Sequence, residues 1–177
     1  MPGFIRNLAA LAATLALLIA IEAQACTRVV YHGPNSMYLT GRTFDFKDAI
    51  ISNLWVFPRG MKRHGAAGPR SVEWTSTYGS LIVSGYEIST VAGMNEAGLN
   101  ANLLWLADAK YPEDHGVTPR VSLSIWAQYF VDRFATVAEA VNHARNVPMQ
   151  VVSGEVSGRT GSLAPLHLSL SDATGDR

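Results

Sequence analysis

The 177-residue chain holds one cysteine, Cys26, inside the stretch EAQACTRVVY (22–31), and most of the chemistry legible in the sequence gathers around that thiol. A thiol of pKa ~8.5 is a modest nucleophile at neutral pH unless a base stands beside it. The residues before it divide into the parts of a secretory signal. Arg6 makes the start positive, Leu8–Ile21 is a run of apolar or small residues, and Ala23-Gln24-Ala25 is a small-x-small cleavage site. Cleavage there would make Cys26 the first residue of the mature chain. Its α-amine would titrate near ~7.7–8.0, low enough to be partly neutral and to take the thiol proton. The nucleophile would then carry its own base and stay latent until the leader is removed.

A single cysteine in an exported chain closes no internal disulfide. Two other readings of Cys26 stay open: chance placement, and the lipidated cysteine of an exported, membrane-anchored binding protein. Against lipidation, Ala23 and Gln24 match the usual Leu-small-small-Cys pattern poorly.

An amine-assisted thiol still needs a cation to favour thiolate, an acceptor to orient the amine and donors for the oxyanion. The next stretch offers the first two. CTRVVYH (26–32) reads as a strand, GPN (33–35) as a turn and SMYLTGR (36–42) as a returning strand. A three-residue loop opposes His32 to Ser36, Val30 to Tyr38, Arg28 to Thr40 and Cys26 to Arg42, placing Arg42 beside the thiol. A two-residue turn would instead oppose Cys26 to Thr43 and point Arg42 away. Asp45 has the opposite parity to Arg42, so a bulge or strand exit near Thr43–Phe44 must bring its carboxylate round to the amine. The alternative for Arg42 and Asp45 is a solvated ion pair after a hairpin.

These residues carry a resemblance. A-C-T-R at a cleavage site, G-R-T-F-D-F (41–46), GMNEAGLNANLLWLADAKYPE (93–113), the helical WAQYFVDRFATVAEAV (126–141) and HLSLSDATGD (167–176) together resemble the choloylglycine hydrolase family of N-terminal-nucleophile amidases. That family includes bile salt hydrolases, and the match is closer to the Gram-negative penicillin V acylase-like group. The resemblance implies Cys26 as nucleophile, Arg42 as the arginine flanking the thiol and Asp45 as acceptor for the α-amine. It implies the backbone N–H of Trp105 as half of an oxyanion hole, with the Trp105 indole and Phe44 lining an acyl pocket. Trp105 could also be an ordinary core aromatic. It stands where typical bile salt hydrolases have Asn, which favours apolar acyl amides over conjugated bile salts, as in penicillin V or N-acyl homoserine lactone acylases. Bile salt hydrolysis stays as the alternative. The family's later T-N-x-P-like segment and second arginine have no counterpart here, so the expectation is an N-terminal fragment of low turnover with an unpaired strand edge.

The elements that must position these residues follow from patterning. NLWVF (53–57), STYGSLIVSG (76–85), ISTVA (88–92) and LNANLLWL (99–106) read as strands, and MKRHGAAGPR (61–70) as a basic loop. VSLSIWAQYFVDRF (121–134) has Leu123, Trp126, Phe130 and Phe134 at helical spacing. Thr136 and Glu139 form a capping box for a second helix ending before Pro148, and GEVSGRTG (154–161) reads as a flexible turn. Pattern alone gives mixed α and β in one domain, 26–177, after the 1–25 leader. The resemblance makes that the N-terminal portion of a four-layer αββα sandwich in the α+β class.

Composition narrows the partners. Fourteen Lys and Arg balance fourteen Asp and Glu, which gives no electrostatic reason to expect nucleic acid. The five histidines show no metal-ligand spacing and there is no G-x-S-x-G motif, so no metal and no cofactor are expected. The expected partner is a small-molecule N-acyl amide, met in the periplasm or medium with no membrane association after cleavage. A homo-oligomer of a longer parent stays open.

Overall fold

The computed structural model describes residues 26–46, 48–113, 115–156 and 159–177, so the stretch expected to be a leader, 1–25, lies outside the described residues. In chain order, β1 (Arg28–His32) and β2 (Tyr38–Arg42) form a hairpin, followed by β3 (Leu54–Phe57). Next come β4 (Lys62–His64) and β5 (Glu73–Thr75), then β6 (Ser80–Gly85), β7 (Ser89–Asn95) and β8 (Asn100–Trp105). The strand β9 (Arg120–Ser122) runs straight into helix α1 (Leu123–Arg133), and α2 (Val137–Asn146) follows. The chain continues through β10 (Gln150–Val152), β11 (Glu155–Val156), β12 (Arg159–Leu163) and β13 (Leu166–Ser171).

The centre is a five-stranded antiparallel sheet in the order β13-β8-β7-β6-β3, with β13 and β3 at its edges. Alternation decides its two faces. Ile82, Ala101 and Leu103 turn to one side and pack against Leu123, Ala127 and Val131 of α1. On the other face, Val56, Leu81 and Met94 are successive cross-strand neighbours and are exposed. Ser171 opposes Asn100 while Leu170 opposes Ala101 of the helix-covered face, so Ser171 faces away from α1. Ser171 is where the hairpin docks. Its Oγ accepts from Arg28 Nη2 at 2.6 Å and shares a 3.0 Å hydrogen bond with Thr40. Helices, sheet and hairpin thus form three successive layers.

Most of the expected elements are present, with local differences that have physical reasons. The basic stretch at 61–70 is not all loop, because Lys62–His64 pairs with Glu73–Thr75. Residues 76–79, expected in a strand, turn instead: Thr77 and Tyr78 donate their N–H groups to the Asp132 carbonyl at the end of α1. The glycine-rich stretch from 154 holds the paired strands β11 and β12, with residues 157–158 outside the described residues. Thr136 caps α2 as expected, accepting from Glu139 N, but the returning Glu139 carboxylate takes the N–H of Ala135 rather than that of the cap.

The turn after β13 has a structural use. Asp172 Oδ2 accepts the Val137 N–H at 2.7 Å, at the first residue of α2, and its Oδ1 accepts the Thr174 N–H and hydroxyl. Burial pushes the Asp172 pKa up, but the hydrogen bonds from Thr174, Val137 and Asp176 outweigh it and hold the carboxyl below its ordinary value. A depressed folded pKa contributes stability that is full above the unfolded pKa and is lost as pH falls through the folded one. Asp172→Ala should therefore cost about 1–3 kcal/mol at pH 7. In denaturant titrations its deficit relative to the parent should shrink once the pH drops below ~3.9.

Candidate active site

The hairpin register differs from both sequence expectations. Residues 33–37 connect the strands, closed by Gly33 N–H to Met37 O at 2.8 Å and Met37 N–H to Pro34 O at 3.2 Å. Arg28 opposes Arg42, Val30 opposes Thr40 and His32 opposes Tyr38. Relative to the three-residue loop this is a slip of two, which preserves faces because side chains alternate with a period of two. Arg42 therefore stays on the Cys26 face but lies diagonal to the thiol instead of directly opposite it. The longer connection has Asn35 and Ser36 at positive φ, a geometry that Gly-Pro-Asn-Ser does not announce.

Arg42 is the most constrained of the predicted residues. Its Nη1 donates to the carbonyls of Val91 at 2.9 Å and Leu103 at 2.8 Å, and its Nε to Thr43 O at 3.1 Å. The reason lies in the sheet. The β7–β8 pairing ends at Ala92–Asn102, and β6 pairs with β7 through Val83–Ala92 and then Ser84–Thr90, leaving Val91 as the extra residue of a bulge. Beyond that point β7 and β8 part, and the guanidinium takes the two carbonyls that a continued ladder would have used. Burial lowers the Arg42 pKa from its ordinary value, while the Cys26 thiol and then the Asp45 carboxylate pull it back up. Its guanidinium also lies over the Phe44 ring, 4.9 Å from the centroid.

Cys26 is half-buried, with Sγ 3.9 Å from the Asp45 carbonyl. It is the Asp45 backbone carbonyl that meets the thiol, after the strand ends at Arg42, while the Asp45 carboxylate accepts the Thr43 hydroxyl. Cys26, Phe44, Asp45 and Trp105 all line one cavity of about 450 Å³. Its remaining walls are largely apolar and include Phe46, Ile50, Ile88, Leu123 and Leu166. The Trp105 ring packs against Phe46 with centroids 5.6 Å apart, so it belongs to this wall rather than to the closed core.

The Trp105 backbone has a defined direction. Leu106 N–H donates to Pro165 O at 2.9 Å, and hydrogen-bonded and non-bonded pairs alternate in an antiparallel ladder. Trp105, opposed to Leu166, therefore turns its N–H away from β13, toward the side where β7 has left. The Leu103 carbonyl, of the same parity, points that way and meets Arg42. Sequence reasoning missed Phe46, although it shares the parity of Phe44. It also missed Val91, whose bulge has no signal in a single strand-like run.

Among the described residues, no group of three or more His, Cys, Asp or Glu is placed to hold a metal ion, and no helix is long and apolar enough to cross a membrane. An apolar cavity lined by a thiol and a carboxylate, with a half-buried cation beside the thiol and the Trp105 N–H turned to the open side of the sheet, suits nucleophilic attack on a carbonyl.

The comparisons agree with that class. Residues 26–177 match the linear amide C–N hydrolases of the choloylglycine hydrolase family, and the chain belongs to this family. It is 47% identical over 161 residues to a penicillin V acylase of Pectobacterium atrosepticum, covering 86% of this chain and 43% of that one. The solved penicillin V acylase of Agrobacterium tumefaciens superposes with a TM-score of 0.75 at 52% identity, over 83% of this chain and 43% of that one. A variant of conjugated bile acid hydrolase from Clostridium perfringens shares the fold, with a TM-score of 0.67 at 20% identity, over 84% of this chain and 45% of that one. The fold is accordingly that of the N-terminal-nucleophile hydrolases, and the chain spans less than half the length of these relatives.

Replacing Arg42 tests its place in the sheet. Arg42→Ala leaves the Val91 and Leu103 carbonyls unpaired and should cost about 2–3 kcal/mol in chemical denaturation. Arg42→Lys keeps the charge but not the planar fork, and should recover only part of that loss.

Proposed function

We propose that this chain is the nucleophile-bearing part of an exported amidase, in which a 1–25 leader is removed and Cys26 becomes the first residue of a 26–177 catalytic portion. The observation that carries this reading is that Cys26 and Asp45 line an apolar cavity whose wall includes Trp105, with the Arg42 guanidinium beside the thiol. The freed α-amine takes the thiol proton, and the Cys26 thiolate attacks the amide carbonyl carbon. The Trp105 N–H supports the oxyanion, the C–N bond breaks, and the leaving amine recovers the proton held on the α-ammonium. Water then hydrolyses the thioester and releases the acid. Arg42 favours thiolate, and Asp45 orients the amine.

The substrate class follows from the walls. Phe44, Phe46, Ile88 and Trp105 make the walls mostly apolar, with Tyr86, Ser89, Ser122 and Ser124 as uncharged polar groups, which favours an aryl or aliphatic acyl part. Phenoxyacetyl amides, in keeping with the penicillin V acylase relatives, and fatty acyl amides such as N-acyl homoserine lactones both fit that description. The site of action is the periplasm or the medium.

The intact mass of the protein recovered from those compartments tests the processing step. A chain starting at unmodified Cys26 is expected. An uncleaved leader would overturn the amine-base mechanism, and a diacylglyceryl increment on Cys26 would make the protein a lipid-anchored one. The processed chain should release amine from phenoxymethylpenicillin only slowly, and Cys26→Ala should abolish whatever release there is.

A further inference from the structure

We infer that Thr43 is a positioning residue of this site, the joint that turns the strand and holds the Asp45 carboxylate to the residue beside the nucleophile. The inference rests on the role proposed above for Asp45.

The hydrogen bonds around Thr43 define that role. One step beyond the last paired residues, Thr43 N–H still donates to Thr27 O at 2.9 Å, as a continuing antiparallel ladder requires. The return bond is different. Thr27 N–H donates not to the Thr43 carbonyl but to its side-chain Oγ1, at 2.9 Å. The Thr43 carbonyl has rotated out of the ladder and accepts Arg42 Nε instead. A side-chain oxygen has therefore replaced a backbone oxygen, which lets β2 leave the hairpin at this residue without losing its last bond to β1.

The same hydroxyl then acts once more. Having accepted from Thr27 N–H, it donates its proton to Asp45 Oδ2. Donor and acceptor roles are both filled, so the hydroxyl rotor is held in one orientation. The Asp45 carboxylate is thereby tied through one oxygen to the backbone N–H of Thr27, the residue next to Cys26. The role proposed above for Asp45 gives the other carboxylate oxygen to the α-amine. Thr43 and Asp45 are both exposed, so packing does not hold the carboxylate in place and the hydrogen-bond relay must do so.

Because Cys26 is the only cysteine, thiol-specific labelling reads this site alone. The test is the pH profile of Cys26 alkylation by iodoacetamide in the processed chain, followed by mass, for the parent, Asp45→Asn, Thr43→Val, Thr43→Ala and Thr43→Ser. Thr43→Val and Thr43→Ala should move the midpoint in the same direction as Asp45→Asn and by at least about half as much. Thr43→Ser, which keeps the hydroxyl, should restore the parent midpoint. If Asp45→Asn moves the midpoint and the hydroxyl-free variants do not, Thr43 is a hairpin residue only and the inference fails, whatever their Tm. Should Asp45→Asn itself leave the profile unmoved, the reading of Asp45 fails first and Thr43 goes with it. Thr43→Ala removes the hydroxyl without adding a methyl in its place, so it decides the matter if the valine variant does not fold.

Discussion

One guanidinium occupies the place where the central sheet opens. Beyond Ala92 and Asn102, β7 and β8 cease to pair, and without a substitute the carbonyls of Val91 and Leu103 would lose their donors. Arg42 supplies one nitrogen to both of them and another to Thr43 O. A planar fork of fixed donors suits this task better than a point charge. Burying a cation is costly, and here the cost is offset by three carbonyl dipoles, an aromatic face and the thiol and carboxylate beside it. The separation of the strands, the position of the cation and the part of the cavity wall formed by Val91 and Leu103 are thus one feature. The hairpin that carries Cys26 is tied to the sheet through the same side chain.

The helix layer holds the other side of that opening. α1 presents Gln128 and Asp132 to the sheet, and both are buried. Gln128 accepts from Thr90, next to the bulge, and donates to Ser80 and to Asp132. Asp132 also accepts from the Trp74 indole at 2.8 Å and pairs with Arg63 at 3.3 Å. Burial raises the Asp132 pKa above its ordinary value, with the bonds from Trp74, Gln128 and Arg63 pulling it back. The hydrogen bonds of Gln128 and Asp132 in this buried network favour one register of α1 on the sheet, although two Arg63 nitrogens are left without hydrogen-bond partners. The start of α1, with Leu123 on the cavity wall, is fixed by the same register.

Several parts of this arrangement were legible in the residues themselves. The alternating runs at 80–105 determine strands, Thr136 and Glu139 determine where α2 begins, and the lone Cys26 with Arg42 and Asp45 close behind determines where to look for chemistry. A loop with an odd number of residues places Cys26 and Arg42 on one face, whereas strand parity by itself demanded an exit before Asp45. Such features depend on neighbours a few residues apart, whose geometry is set by the chain's own periodicity.

The tertiary structure decided the rest. A period of two tells which face a side chain takes but not how far one strand is displaced along another, so the offset of β1 on β2 was settled by a connection with two residues at positive φ. The Val91 bulge, the parting of β7 from β8 and the orientation of the Trp105 N–H arise from contacts between segments far apart in sequence. Gln128 and Asp132 sit on a face that hydropathy would have assigned to solvent, and only the sheet beneath them explains their burial. Sequence determines which groups are available and on which face they lie. Their distances from one another depend on how separate strands and helices are stacked, and no local pattern encodes that.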